Sequence, residues 1–145
     1  MSEKIWKQPT GLDYFNQRNS NTLNETFGIE ITEVGDDYLV GTMPVNHTNV
    51  QPYRILHGGA NVCLAESLGS IASSLCIEDL NTHMAVGIEV NANHLRSVKE
   101  GGVVTGVCRP VRVGRSLHVW NIEIRDQDGH LTCVSRLTVS VVARR

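Results

Sequence analysis

Residues 58–77 carry Glu66 as their only charged side chain, and few folds can accommodate a segment of that length and composition. A helix facing water needs a polar side, so this one must be covered on more than one side. At about 100° per residue, Leu64, Leu68, Ile71, Ala72 and Leu75 form one apolar stripe. Glu66 falls opposite, with Gly59, Cys63, Gly69, Ser70 and Ser73, small residues of the kind found where a backbone or ligand approaches closely. The expectation is a sheet on the leucine stripe and a partner subunit or substrate on the small-residue side. A solvated face with one incidental carboxylate is the ordinary alternative. Enclosing a carboxylate without a cation on its own helix is costly, and functional sites are where such a cost is tolerated.

Strand patterns flank the helix. Met84, Val86, Ile88, Val90 and Ala92 recur at every second position, which predicts a strand burying those five on one face. The same alternation runs through residues 103–113, 117–125 and 131–142. Gly101-Gly102, residues 114–116 and residues 127–129 supply turns, so consecutive strands are expected to pair antiparallel as a meander. Pro110 cannot donate a ladder hydrogen bond and predicts a bulge or an edge. Upstream, residues 27–34 and 38–45 read as a hairpin around Gly35-Asp36-Asp37, and residues 46–56, with Pro52, as a loop. Residues 11–24 read as a weakly amphipathic helix. The class is α+β, with residues 1–24 an N-terminal extension and 25–145 a single domain.

Charge and cysteine usage exclude several functions. With 13 Lys and Arg against 15 Asp and Glu, bulk charge does not favour nucleic acid or an anionic membrane. No apolar run reaches membrane-spanning length and the first residues lack a signal-peptide block, so a cytoplasmic protein is expected. Cys63, Cys76, Cys108 and Cys133 include no C-x-x-C pair and read as small core residues. His47, His83, His118 and His130 show no metal-ligand spacing, and no metal is expected. A G-x-S-x-G elbow is absent, which leaves a serine hydrolase of the α/β type unsupported.

The triplet His57-Gly58-Gly59 opens the helix. Two glycines there are expected to leave the first N–H groups unobstructed, and those donors with the helix dipole can hold a developing oxyanion. Glu66 follows Gly59 by about two turns on the same face, so the two could converge on one carbonyl.

The stretch from Gln51 through His57-Gly58-Gly59 to Leu64-Ala65-Glu66-Ser67-Leu68-Gly69-Ser70, followed by Gly87-Ile88-Glu89-Val90-Asn91-Ala92-Asn93-His94-Leu95-Arg96, resembles the hotdog-fold acyl-CoA thioesterases. It is nearest to the bacterial group that includes 1,4-dihydroxy-2-naphthoyl-CoA hydrolase and the proofreading thioesterase of enterobactin synthesis. The resemblance implies a long antiparallel sheet wrapped around a central helix, in a homodimer with a continuous sheet, usually doubled to a homotetramer. It implies Glu66 as nucleophile or general base, the Gly59 N–H as oxyanion donor, and Gln51 and His57 orienting the thioester from a neighbouring subunit. Ser70 would hold water or substrate, and Val62 and Ile71 would line the acyl pocket.

Coenzyme A needs cations for its phosphates. Arg96, Lys99, Arg109, Arg112 and Arg115 stand against Glu100 alone in residues 96–115, a pattern that usually marks a solvated strand face but also suits a phosphate cradle. The resemblance assigns nucleotide contacts to Gly87, to His94, Leu95, Arg96 and Ser97, and to Arg112, Val113, Gly114, Arg115, Ser116 and Leu117, with Arg109 facing solvent or structure. The implied reaction is hydrolysis of an aromatic or medium-sized acyl thioester of CoA or an acyl carrier. CoA is then part of the substrate, and no separate cofactor is expected. Two alternatives stay open. A hotdog-fold hydratase or dehydratase would interconvert hydroxyacyl and enoyl thioesters without releasing thiol. A non-catalytic acyl-CoA binding protein would bind without turnover.

Overall fold

The low-charge stretch does form the helix, and the alternating stretches form strands that curl around it. In the computed structural model, which describes residues 3–145, the elements run α1 (Leu12–Gln17), α2 (Leu23–Phe27), β1 (Glu30–Val34), β2 (Leu39–Pro44), α3 (Gly58–Leu75), β3 (His83–His94), β4 (Val103–Val113), β5 (Leu117–Arg125) and β6 (Leu131–Ala143). One six-stranded antiparallel sheet has the order β1-β2-β4-β5-β6-β3, with α3 packed against strands β2 to β6, the hotdog arrangement. Leu64, Ala65, Leu68 and Ala72 of α3 are fully buried against Met43, Val104, Ile122 and Leu137 of the sheet.

Several expectations need correction. The meander holds only for β4, β5 and β6: Gly101-Gly102 does not close a β3–β4 hairpin, because β3 crosses to the far edge and pairs with β6. The helix expected over residues 11–24 is two short helices, parted where Asn21 takes a left-handed φ of 60°. Phe27 ends α2 and is not in the hairpin. In β3, Met84, Val86 and Ile88 are exposed, because a bulge between Gly87 and Glu89 shifts the register. The inward positions are therefore Ala85 before the bulge and Val90 and Ala92 after it, and these pack against the core. The register shift at Pro110–Arg112 lies beyond the reach of β2, where the missing N–H breaks no ladder.

On α3, Gly69 and Ser73 face the sheet with the leucines. Gly69 packs against Leu137, and Ser73 Oγ accepts from Trp120 Nε1–H at 2.7 Å and lies 2.9 Å from His118 Nδ1. Ile71, expected on the stripe, is only half-buried. Residues 5–8 pin the far end of α3: the N–H groups of Lys7 and Gln8 donate to Leu75 O, and Trp6 stacks on Trp120. The division expected at residue 24 falls inside α2. All four cysteines are free; Cys108 and Cys133 are buried, whereas Cys63 and Cys76 are partly exposed. No helix is long and apolar enough to cross a membrane.

Candidate active site

Glu66 lies midway along α3, half-buried, and among the described residues no cation pairs with it. Its carboxylate rests against the backbone of Gly87: a Cβ there would lie 2.5 Å from Oε2. Cys63 sits one turn before it, its thiol pushed up by burial and then by the Glu66 charge.

The helix opening is built differently from the sequence expectation. His57 precedes the first turn in extended conformation, and its Nδ1 accepts the Gly59 N–H at 2.8 Å. The glycines therefore do not leave that N–H open. About 10 Å of helix rise separates Gly59 from Glu66. With one turned to His57 and the other to Gly87, the pair does not converge on one carbonyl within a chain.

Two cavities flank Glu66 along α3, and it lines neither. One, of about 350 Å³ at the helix opening, is lined by Gln51, Gly58, Asn61, His94, Arg96 and Ser97 among others, with Leu95. Gln51 is held in its loop, its Oε1 accepting the Tyr53 N–H and its N–H donating to Ile55 O at 2.9 Å. The other, of about 210 Å³ with mainly apolar walls, lies between α3 and the N-terminal segment, lined by Tyr14, Phe15, Arg18, Ser70, Ile71 and Leu75 among others. Ser70 and Ile71 thus share a cavity, whereas Val62 lines neither.

Of the expected nucleotide contacts, Gly87 abuts Glu66, and the other two groups lie at opposite ends of the sheet. His94 pairs with Cys133 at the start of β6, whereas Leu117 pairs with Ser140 near its end. Seven residues of strand separate those β6 positions, roughly 23 Å. Arg112, Val113, Arg115, Ser116 and Leu117 are exposed around the tight turn closed by Gly114 N–H to Leu117 O at 2.9 Å. Arg112 and Arg115 make no ion pair among the described residues, and Arg96 Nε lies 4.0 Å from Asp126 Oδ2. Arg109 stacks over Tyr38, with 4.8 Å to the ring centroid, a structural role. His130 meets Asp126 and Asp128 in the β5–β6 turn, their ligand atoms within 4.8 Å. There Asp126 accepts the N–H groups of Asp128 and His130, both at 3.0 Å, which accounts for it as a turn builder.

Sequence reasoning missed Asn61, a buried polar residue on the first turns of α3 whose Nδ2 lies 3.4 Å from His94 Nδ1. The available signal was a poor helix former inside a Leu- and Ala-rich helix, one turn after the glycines.

Comparison with known proteins adds three findings. Residues 53–133 match the thioesterase superfamily. The 1,4-dihydroxy-2-naphthoyl-CoA hydrolase of Escherichia coli is 45% identical, covering 95% of this chain and 99% of that one, and the proofreading thioesterase EntH of Cronobacter turicensis is 44% identical over 95% and 98%. The crystal structure of a Haemophilus influenzae thioesterase superposes with a TM-score of 0.90 at 46% identity, over 96% of this chain and 95% of that one.

Proposed function

The chain belongs to the thioesterase superfamily, and from that premise we propose that it hydrolyses the thioester of an aromatic or medium-sized acyl group carried on CoA or an acyl carrier, with Glu66 as the reacting carboxylate. The observation that carries this reading is a half-buried carboxylate, unpaired among the described residues, on the helix between two cavities of different character. As general base, Glu66 takes a proton from water while the water oxygen bonds to the carbonyl carbon. The C–S bond then breaks and the proton passes to the departing thiolate. As nucleophile, the carboxylate itself bonds to the carbonyl carbon and expels the thiolate, leaving an anhydride that water cleaves.

The acyl group occupies the apolar cavity beside Ser70 and Ile71. Its volume of about 210 Å³ suits a ring-sized group, since an apolar cavity of roughly 150 Å³ holds benzene. Oxyanion stabilisation comes from the helix opening of the partner subunit, where Gln51 orients the carbonyl and a backbone N–H of the first turn that His57 does not occupy donates to it.

A second subunit is central to this reading. Strand β3 is a twelve-residue edge whose outward face, including Met84, Val86 and Ile88, is exposed. Unprotected edges of this kind invite pairing with another strand. Antiparallel pairing of β3 with its copy extends the sheet into a homodimer and brings the 112–117 turn of one chain toward the 94–97 segment of the other. The exposed apolar residues on β3 suit further association to a homotetramer.

A thiol-release screen over benzoyl, naphthoyl, phenylacetyl and straight-chain CoA esters tests the reading. Release of free CoA from at least one ester is expected. Interconversion of enoyl and hydroxyacyl esters without thiol release, or binding without turnover, would replace it.

A further inference from the structure

Among the described residues, Asn61 Oδ1 is the one buried side-chain polar atom that has no hydrogen-bond partner. Asn61 is only 5% exposed, on a helix whose other buried residues are Leu, Ala, Gly69 and Ser73, the last with its hydroxyl bonded to Trp120. A leucine there would bury no unmet acceptor, so the amide needs a reason to be present. Its other end supplies one. Nδ2 lies 3.4 Å from Nδ1 of His94, a residue from the end of β3 that is distant in sequence and exposed to the cleft. The same imidazole lies against the helix opening: a Cβ on Gly58 would come within 2.8 Å of His94 Nε2. The ring is therefore gripped on its Nδ1 side by the buried amide and directed by its Nε2 toward Gly58, whose N–H makes no hydrogen bond within the described residues.

We propose that Asn61 is a positioning residue: its amide N–H holds His94 Nδ1 as an acceptor, so the neutral imidazole carries its proton on Nε2 and presents it, beside the Gly58 N–H, to a carbonyl oxygen of the thioester substrate. A neutral histidine has one donor and one acceptor nitrogen, and what bonds the first fixes the role of the second. Gly59 N–H is taken by His57, which leaves Gly58 N–H and His94 Nε2–H as donors here beside the side chains of Gln51, Arg96 and Ser97. This inference rests on the thioester hydrolysis proposed above, but its spectroscopic test does not need turnover.

Long-range 1H–15N correlation spectra of the full-length protein, recorded where His94 is neutral and assigned with His94→Gln, read the tautomer directly. The expected spectrum shows Nε2 protonated and Nδ1 bare in the wild type, with Asn61→Leu moving both nitrogens toward the tautomer average. Protonated Nδ1 in the wild type, or tautomer averaging there, overturns the proposal even if Asn61→Leu fails to fold. Unchanged His94 signals in a folded Asn61→Leu protein overturn it too. In kinetics, Asn61→Leu and His94→Gln are each expected to lower kcat/KM by about tenfold, and the double variant by no more than either alone. Fully multiplicative losses would show that the residues act independently. If no acyl-CoA is hydrolysed but the tautomer is as stated, the reaction assignment fails while the positioning of His94 stands.

Discussion

The Glu66 carboxylate occupies the space that a side chain at position 87 would need, with Oε2 2.5 Å from where a Cβ on Gly87 would stand. A strand residue thereby fixes where a helix carboxylate can point. Gly87→Ala is expected to displace the carboxylate and lower kcat by about 10²-fold, the scale of a misplacement near 1 Å, while the fold persists. Steady-state kinetics beside circular dichroism checks this. Unchanged turnover would mean that the carboxylate has room the geometry denies it.

Among the described residues, Arg112 and Arg115 have no ion-pair partners, at the sheet end opposite His94. If they hold CoA phosphates across a dimer, Ala at either should raise KM for an acyl-CoA roughly tenfold or more, the value of one charge-assisted contact. A short thioester lacking the nucleotide should be hydrolysed as before. Equal losses on both substrates would assign the arginines to folding. Sedimentation should show a dimer or larger species, and a 16.0 kDa monomer would remove the two-subunit site.

His118 is buried in a network with Ser73 and Trp120, and burial pushes its pKa down from the ordinary value of 6.5. The unfolded chain then takes up a proton below pH 6.5 that the folded chain refuses. Stability is therefore complete above that pH and falls as pH drops through the lowered folded pKa, by at most about 1.4 kcal/mol per pH unit. Thermal unfolding from pH 7.5 to 5 should show this fall, and His118→Gln should flatten it. An equally steep fall in that variant would place the effect elsewhere.

Much of this architecture was legible because each element repeats one period. Leu64, Leu68, Ala72 and Leu75 mark the buried side of α3 as the helical repeat requires. Strand β3 shows where such reading stops. Met84, Val86, Ile88, Val90 and Ala92 look like one face, but the bulge at Ile88 turns the first three outward. Apolar residues at an edge serve a partner's surface as readily as their own core, and one sequence does not say which. Glu66 stood out because nothing else on its helix is charged. A histidine before the helix could be read as its cap, and His57 makes that cap, whereas the approach of Asn61 to His94 was hidden in a contact between distant residues.

Replacing Glu66 by Gln tests the central assignment most directly, because the amide keeps the volume and loses the basicity and charge. On a CoA ester that the wild-type protein hydrolyses, Glu66→Gln is expected to lower kcat at least about 10²-fold, with KM moving less and the fold and assembly intact. Near-wild-type turnover by a folded, correctly assembled Glu66→Gln protein would contradict the account and return Glu66 to an ordinary place on a polar helix face.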